Sequence, residues 1–220
     1  MNDMLEIFYV SIFAAALFLS VIGVWFTAIL PGLDRRSKRF FLCYFSALIL
    51  CCFFALAELI SRLFPVSRGV FFFILMLESL VLSLPLLLLT VLLSRCSGEE
   101  ARKSKLMRAV AGLWAVYIVF LIVDPLTGVF TTVTPDNRYF RGPLYPIALL
   151  PLVAILIITL AGALRRRKLL SRKVFISFLI SLIPMTAAFV IQLFVDVFPL
   201  LDASYVLSGL SMYGLILSDR

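Results

Sequence analysis

VFFFILMLESLVLSLPLLLLTVLL, residues 70–93, is a nearly continuous apolar run in which Glu78 is the one charged residue. About 20 residues of α-helix, rising 1.5 Å per residue, cross a bilayer hydrocarbon core of about 30 Å. Lipid offers no hydrogen-bond partners to the backbone, so a spanning segment must be a helix or part of a closed barrel. The run therefore predicts a transmembrane helix.

The composition of the whole chain extends this prediction. The chain has 220 residues, 63% of them hydrophobic and 15% charged, and a mean hydropathy of +1.14. These values lie far from those of soluble domains. We predict a single all-α membrane domain over residues 1–220, a bundle of seven transmembrane helices. The predicted spans are about 5–30, 40–63, 70–93, 107–123, 144–164, 174–195 and 203–217.

The distribution of basic residues predicts an orientation. Sixteen of the 20 lysines and arginines lie after spans one, three, five and seven, and the other four lie on the opposite side. Short basic loops mark the cytoplasmic side. We therefore expect the N-terminus outside and the C-terminus inside. The basic residues then explain the net charge of +8, because they set the topology and attract anionic lipids. The charge requires no nucleic-acid partner.

The connection DPLTGVFTTVTPDNRYFRGPLY, residues 124–145, is the longest stretch that is neither apolar nor plainly basic. Residues Val129–Val133 and Arg138–Arg141 are rich in β-formers and flank Thr-Pro-Asp-Asn, in which proline suits the second position of a type I turn. These residues predict an extracellular β-hairpin between helices four and five, bracketed by Gly128 and Gly142. It is either a lid over the bundle or a passive cap.

The segments Asp124–Phe130 and Arg141–Tyr145, together with the seven-span layout, carry a resemblance. The chain resembles, over essentially its whole length, the seven-helix N-terminal sensor region of bacterial membrane histidine kinases and diguanylate cyclases. The resemblance implies a receptor-like module of the bacterial cytoplasmic membrane. It also implies a cytoplasmic output domain after the seventh helix and a homodimer formed through the full-length protein.

The chain departs from that family where it reaches LILSDR, with no GGDEF-like segment and no phosphoacceptor histidine. The predicted last span, 203–217, is about 22 Å long at 1.5 Å per residue, shorter than the membrane core. We expect an output domain to follow Arg220. The chain itself is then not an enzyme, and whether the full-length protein is a kinase or a cyclase stays open.

Acidic and amide side chains inside spans usually face a bundle interior or a watery cavity. Here they gather near the outer side, and Glu78 is the deepest, with no basic residue three or four positions away. Glu78 is therefore expected to be protonated, hydrated, or paired with another helix or the hairpin, where Arg138 and Arg141 are candidate partners. We predict an outward-facing pocket under the hairpin. The predicted ligand-binding residues are Glu58, Glu78, Asp124, Tyr139, Arg141, Gln192, Asp196 and Tyr205. Alternatively, Glu58 pairs with Arg62, and Asp196 is a solvated helix end.

Several features suggest how such a pocket acts on the rest of the bundle. Prolines 85, 151 and 184 predict kinks within spans three, five and six. Asp202 is a candidate N-cap of span seven, which we expect to be the output element. Ser204, Ser208 and Ser211 line one face of that span, either packed inside the bundle or forming a dimer seam.

The function that these observations favour is signal sensing. The ligand is either a cationic or hydrogen-bonding small molecule, or a lipid entering between helices. A small transporter or channel is the alternative, although the inner half lacks a polar lining and no inverted repeat is visible. The four cysteines and the absence of histidine predict no metal and no cofactor, and no motif of an intramembrane enzyme is present.

Overall fold

A computed structural model describes residues 2–29, 34–64, 66–99, 104–134, 139–194 and 200–218. These residues form seven helices and one two-stranded sheet. In chain order they are α1 Asn2–Ile29, α2 Arg35–Leu63, α3 Arg68–Cys96, α4 Lys105–Thr127, β1 Thr131–Val133, β2 Tyr139–Arg141, α5 Tyr145–Arg165, α6 Arg172–Phe194 and α7 Leu200–Ser218.

Six of the seven helices in the described part of the chain are long and apolar enough to cross a membrane, as a multi-pass membrane protein requires. They are α1 to α6, and their bounds follow the predicted spans closely. The remaining helix, α7, has 19 residues. At 1.5 Å per residue it is about 28 Å long, and so it is longer than the predicted span. The seven-span count and the orientation stay predictions.

Each helix packs mainly against its neighbours in the chain, and α7 closes the bundle by packing on α1, α2 and α6. The core consists of large apolar side chains, including Phe41, Phe45, Leu93, Ile155 and Leu182, each at most 1% exposed. Prolines lie inside four helices. Three of them were expected. The fourth, Pro125, lies in α4 because that helix continues past Asp124 to Thr127.

The hairpin lies between α4 and α5, as the sequence predicts, but it is shorter. Strand β1 pairs antiparallel with β2, with Thr132 opposite Phe140. Val129 and Phe130 belong to the turn out of α4, where Gly128 has φ 62° and donates its backbone N–H to Asp124 O at 2.7 Å. Glycine adopts this left-handed conformation without a steric cost. The predicted turn type and Arg138 fall on residues outside the described ones.

Because consecutive helices alternate in direction, the start of α1, α3, α5 and α7 and the end of α2, α4 and α6 lie at one end of the bundle. We call it the hairpin end, because α4 and α5 carry the hairpin there. The opposite end, where the loops are basic, is the basic end. Below the hairpin end the interior is filled by buried leucine and isoleucine side chains, among them Leu86, Leu89, Leu152 and Leu156.

The serine-bearing face of α7 packs inside the bundle. Ser204 and Ser208 are 8% and 2% exposed, and the Ser181 hydroxyl donates to Ser208 O at 3.2 Å. The Tyr44 hydroxyl of α2 donates to Tyr205 O at 3.0 Å. Of the two interpretations left open by the sequence, the structure supports packing within the bundle.

One ion pair ties two elements together at the basic end. Arg166, just after α5, forms a forked pair with Glu99, just after α3, with Nη2 2.7 Å from Oε2 and Nε 3.2 Å from Oε1. The neighbouring Ser104 hydroxyl and the Arg166 guanidinium lower the pKa of Glu99. The carboxylate therefore stays ionised, and the pair stays charged, across the neutral pH range.

Candidate functional site

A cavity of about 420 Å³ opens at the hairpin end. All seven helices and both strands contribute side chains to its lining. Its volume lies within the range of pockets that take small molecules. Among the described residues, the charged and amide side chains of the lining belong to Glu58, Glu78, Asp124, Arg141, Gln192 and Asp202.

Aromatic rings form much of the remaining wall. Eight aromatic residues line the cavity among those the structure describes, and α1, α3, α4, α5 and β2 each supply at least one. Tyr117 of α4 is buried, and its hydroxyl donates to Ser79 O at 3.3 Å. The lining therefore combines apolar faces with a few fixed polar groups, as ligand sites in proteins do.

Glu78 is the deepest charged residue of the cavity. It lies ten residues beyond the first residue of α3, so it is about 15 Å along that helix at 1.5 Å per residue. It lines the same cavity as Glu58, Gln192 and Arg141, three of the residues predicted to lie near it. Its predicted role in ligand binding stays a prediction. Asp196, Arg138 and the side chain of Arg62 lie outside the described residues.

Asp124 lines the cavity, but its carboxylate is engaged by the hairpin. Oδ1 accepts the backbone N–H groups of Phe130 at 3.0 Å and Thr131 at 2.9 Å, and Oδ2 accepts the Thr131 hydroxyl. The residue is only 9% exposed. Its role in the structure is to fasten the start of the hairpin to α4. A ligand that bound the Asp124 carboxylate directly, as the sequence predicts, would have to compete with these hydrogen bonds.

Arg141 fastens the other strand. Its Nη1 donates to the backbone oxygen of Gln192 in α6 at 2.7 Å, and its guanidinium stacks over the ring of Tyr145 in α5 at 4.4 Å from the centroid. Tyr139, on the same strand, also lines the cavity. The hairpin is thus attached to α4, α5 and α6 at the mouth of the cavity, which is the geometry expected of a lid.

Gln192 of α6 is among the residues that line the cavity. Its side-chain oxygen Oε1 is buried and has no hydrogen-bond partner among the described residues. A buried acceptor without a donor costs about 1–3 kcal/mol. A ligand that donates a hydrogen bond at this position would recover that cost.

Tyr205 does not belong to the described lining. The whole residue is buried at 0% exposure, and its ring packs edge-on to Phe189, with centroids 6.4 Å apart. Its position one turn further into α7 than Asp202 directs it into the packing of α2, α6 and α7. The structure therefore gives no support to its predicted ligand-binding role.

Asp202 is the lining residue that the sequence analysis assigned differently. Helix α7 begins at Leu200, so Asp202 lies in the first turn and the predicted N-cap role is wrong. Its side chain is 8% exposed and lines the cavity. No hydrogen bond or ion pair joins its carboxylate to another described residue. The sequence does contain an indication of this position. Asp202 is an acid that directly follows the apolar segment Pro-Leu-Leu at the start of a span.

No group of three or more histidine, cysteine or acidic residues that could hold a metal ion occurs among the described residues. No protein-family model and no curated protein matches the chain. The likeness to bacterial sensor regions, which rests on Asp124–Phe130 and Arg141–Tyr145, therefore stays a prediction. The shape and chemistry of the cavity bear most directly on function.

Proposed function

We propose that the chain is a seven-helix transmembrane sensor domain of the bacterial cytoplasmic membrane. In this proposal the N-terminus and the hairpin are outside, the basic end is in the cytoplasm, and a ligand binds in the cavity at the hairpin end. Helix α7 relays binding to a cytoplasmic kinase or diguanylate cyclase domain after Arg220, and the full-length protein is a homodimer.

One observation carries this proposal: the hairpin and the first turn of α7 line the same cavity. A ligand seated there contacts the lid and the output helix at once. Beyond the cavity the bundle interior is filled by buried apolar side chains such as Leu89 and Leu156. A cavity that is open at one end and closed by an apolar core at the other suits detection better than passage.

The packing of α7 supports a relay. The helix is held at its middle by Tyr44 and Ser181, through bonds to its backbone oxygens at Tyr205 and Ser208. A ligand that binds one arrangement of α7 more tightly shifts the population toward that arrangement. Because a helix moves as a unit, a shift or rotation at the first turn also displaces its far end.

The topology has a direct test. We expect a cysteine at position 134, in a chain whose four native cysteines are replaced, to react with a membrane-impermeant maleimide in intact cells. Thr134 follows β1, and positive-inside orientation places the hairpin outside. The matched control is Lys168→Cys in the basic segment after α5, which should react only after permeabilisation. The reverse pattern would overturn the orientation.

The relay is tested with a dimerisation-dependent reporter fused after Arg220. We expect Glu78→Ala and Arg141→Ala to change reporter output by about fivefold or more, the lower end of ordinary allosteric coupling. The control is Val119→Ala in α4, which alters an exposed side chain outside the described lining. If all three variants insert and fold and give unchanged output, the link from cavity to α7 is wrong.

A further inference from the structure

We infer that the ligand of this cavity is an organic ammonium ion, and that Asp202 in the first turn of α7 is its counter-ion. The inference deepens the proposed sensing function and rests on it. It names the chemical class of the ligand and the residue through which the ligand acts on the output helix.

The first step is the environment of Asp202. Its side chain is more than nine-tenths buried, lines the cavity, and is bonded to no other described residue. Removing a carboxylate from water without a partner is costly, and proteins compensate it with a positive charge or hydrogen bonds. The carboxylate is therefore placed to receive a cation from the cavity.

The second step is the charge of the lining. Among the described lining residues there are four carboxylates, on Glu58, Glu78, Asp124 and Asp202, and one cationic side chain, Arg141. The guanidinium of Arg141 is already held by the Gln192 carbonyl oxygen and the Tyr145 ring at the hairpin. Glu58 and Glu78 have interaction partners of their own, and Asp124 is bonded to the hairpin. Asp202 is therefore the described lining carboxylate that is left to pair with a cation.

The third step is the kind of cation. A metal ion requires several oxygen, nitrogen or sulphur ligands around one point, and the described residues offer no such group. Alkylammonium ions instead bind against aromatic faces, where the ring quadrupole attracts their diffuse charge. Aromatic residues line this cavity on several sides, including Tyr9, Tyr117, Phe130 and Tyr139. The lining fits an ammonium group bearing apolar substituents.

The buried amide oxygen of Gln192 adds a directional element. It lacks a donor among the described residues and belongs to a residue that lines the same cavity. An ammonium ion that keeps one N–H, or a hydroxyl on its substituent, would supply that donor. A fully substituted ammonium would leave it unpaired and should bind less tightly than its N–H counterpart.

The experiment uses the whole chain in lipid nanodiscs, with benzyltrimethylammonium and benzyldimethylammonium as probes. Benzenesulfonate serves as the anion with the same ring. We expect both cations to bind and to raise the thermal midpoint, with the dimethyl compound bound more tightly, and we expect the anion to have no effect. Asp202→Asn should weaken cation binding at least about tenfold, because it removes the charge of the counter-ion. Asp202→Glu should restore part of that loss.

The control variant is Glu99→Gln, which makes the same change of charge at the basic end and should leave the affinity unaltered. Equal binding of the cations by wild type and Asp202→Asn would overturn the proposal, as would equal binding of the anion and the cations by wild type. The second comparison needs no variant and holds even if Asp202→Asn fails to fold. If the ligand is not an ammonium ion but the chain is a sensor, Glu78→Ala still changes the reporter output. If the chain is not a sensor, the reporter output stays unchanged in Glu78→Ala.

Discussion

Replacing Asp124 by alanine is expected to detach the hairpin from α4. The substitution removes the acceptor of two backbone N–H groups and one hydroxyl, and leaves the N–H groups of Phe130 and Thr131 without partners. Hydrogen bonds to a charged acceptor contribute about 1.5–3 kcal/mol each, and a buried donor left unpaired costs about 1–3 kcal/mol. Local opening of the hairpin should therefore become easier by several kcal/mol, without unfolding of the bundle.

Amide hydrogen exchange at Phe130 and Thr131 measures this opening. We expect exchange in Asp124→Ala to be faster by a factor of about 100 or more, since each 1.4 kcal/mol is a factor of ten. Asp124→Asn is the matched control, because the amide keeps one oxygen for both N–H groups. Its exchange should stay within about tenfold of wild type. Equal protection of both amides in wild type and Asp124→Ala would show that the carboxylate does not hold the hairpin.

The second large effect is expected where α7 contacts α2. A β-carbon added at Gly209 would lie 2.5 Å from Cε1 of Tyr44, and the rings of Tyr44 and Phe45 are both at most 1% exposed. Tyr44 cannot rotate away without breaking its bond to Tyr205 O. Overpacking a tight core costs about 1–3 kcal/mol. Gly209→Ala should therefore lower the midpoint of thermal unfolding and displace α7.

Gly214→Ala is the matched control on the same helix. A β-carbon at Gly214 would meet nothing within 4 Å, and both substitutions gain the same helix propensity, up to about 1 kcal/mol. We expect this variant to be as stable as wild type or slightly more stable. The two midpoints, measured in the same detergent, should diverge by several degrees. Equal midpoints would mean that α2 and α7 are not in tight contact at Gly209.

Much of the fold could be predicted from the sequence, because apolar runs of this length form helices in lipid. The hairpin could also be predicted, since its strands and turn are local. The gathering of Glu58, Glu78 and Gln192 at one end followed from the alternating direction of the spans. These are consequences of length, periodicity and direction, which need no knowledge of packing.

The details that depend on packing could not be predicted. The start of α7 at Leu200, which moves Asp202 from a cap position into the first turn, is set by contacts with other helices. The same holds for Tyr205, which the neighbouring helices enclose. The bond from Arg141 to Gln192 joins residues 51 positions apart, and no local pattern indicates such a partner. Sequence reasoning found five of the six charged and amide residues of the described lining and missed Asp202 of α7 as a lining residue.

The fastening of the hairpin to three helices has a kinetic consequence. In the proposed site, the hairpin lies at the mouth of the cavity, and the bonds from Asp124 and Arg141 hold it there. A ligand leaves past the hairpin more readily when these bonds open. Residence time, set by the dissociation rate, then decides how long a signal persists after the stimulus is withdrawn. Weakening either fastening would shorten the residence time of a ligand in the proposed site, and would also make its entry past the hairpin easier.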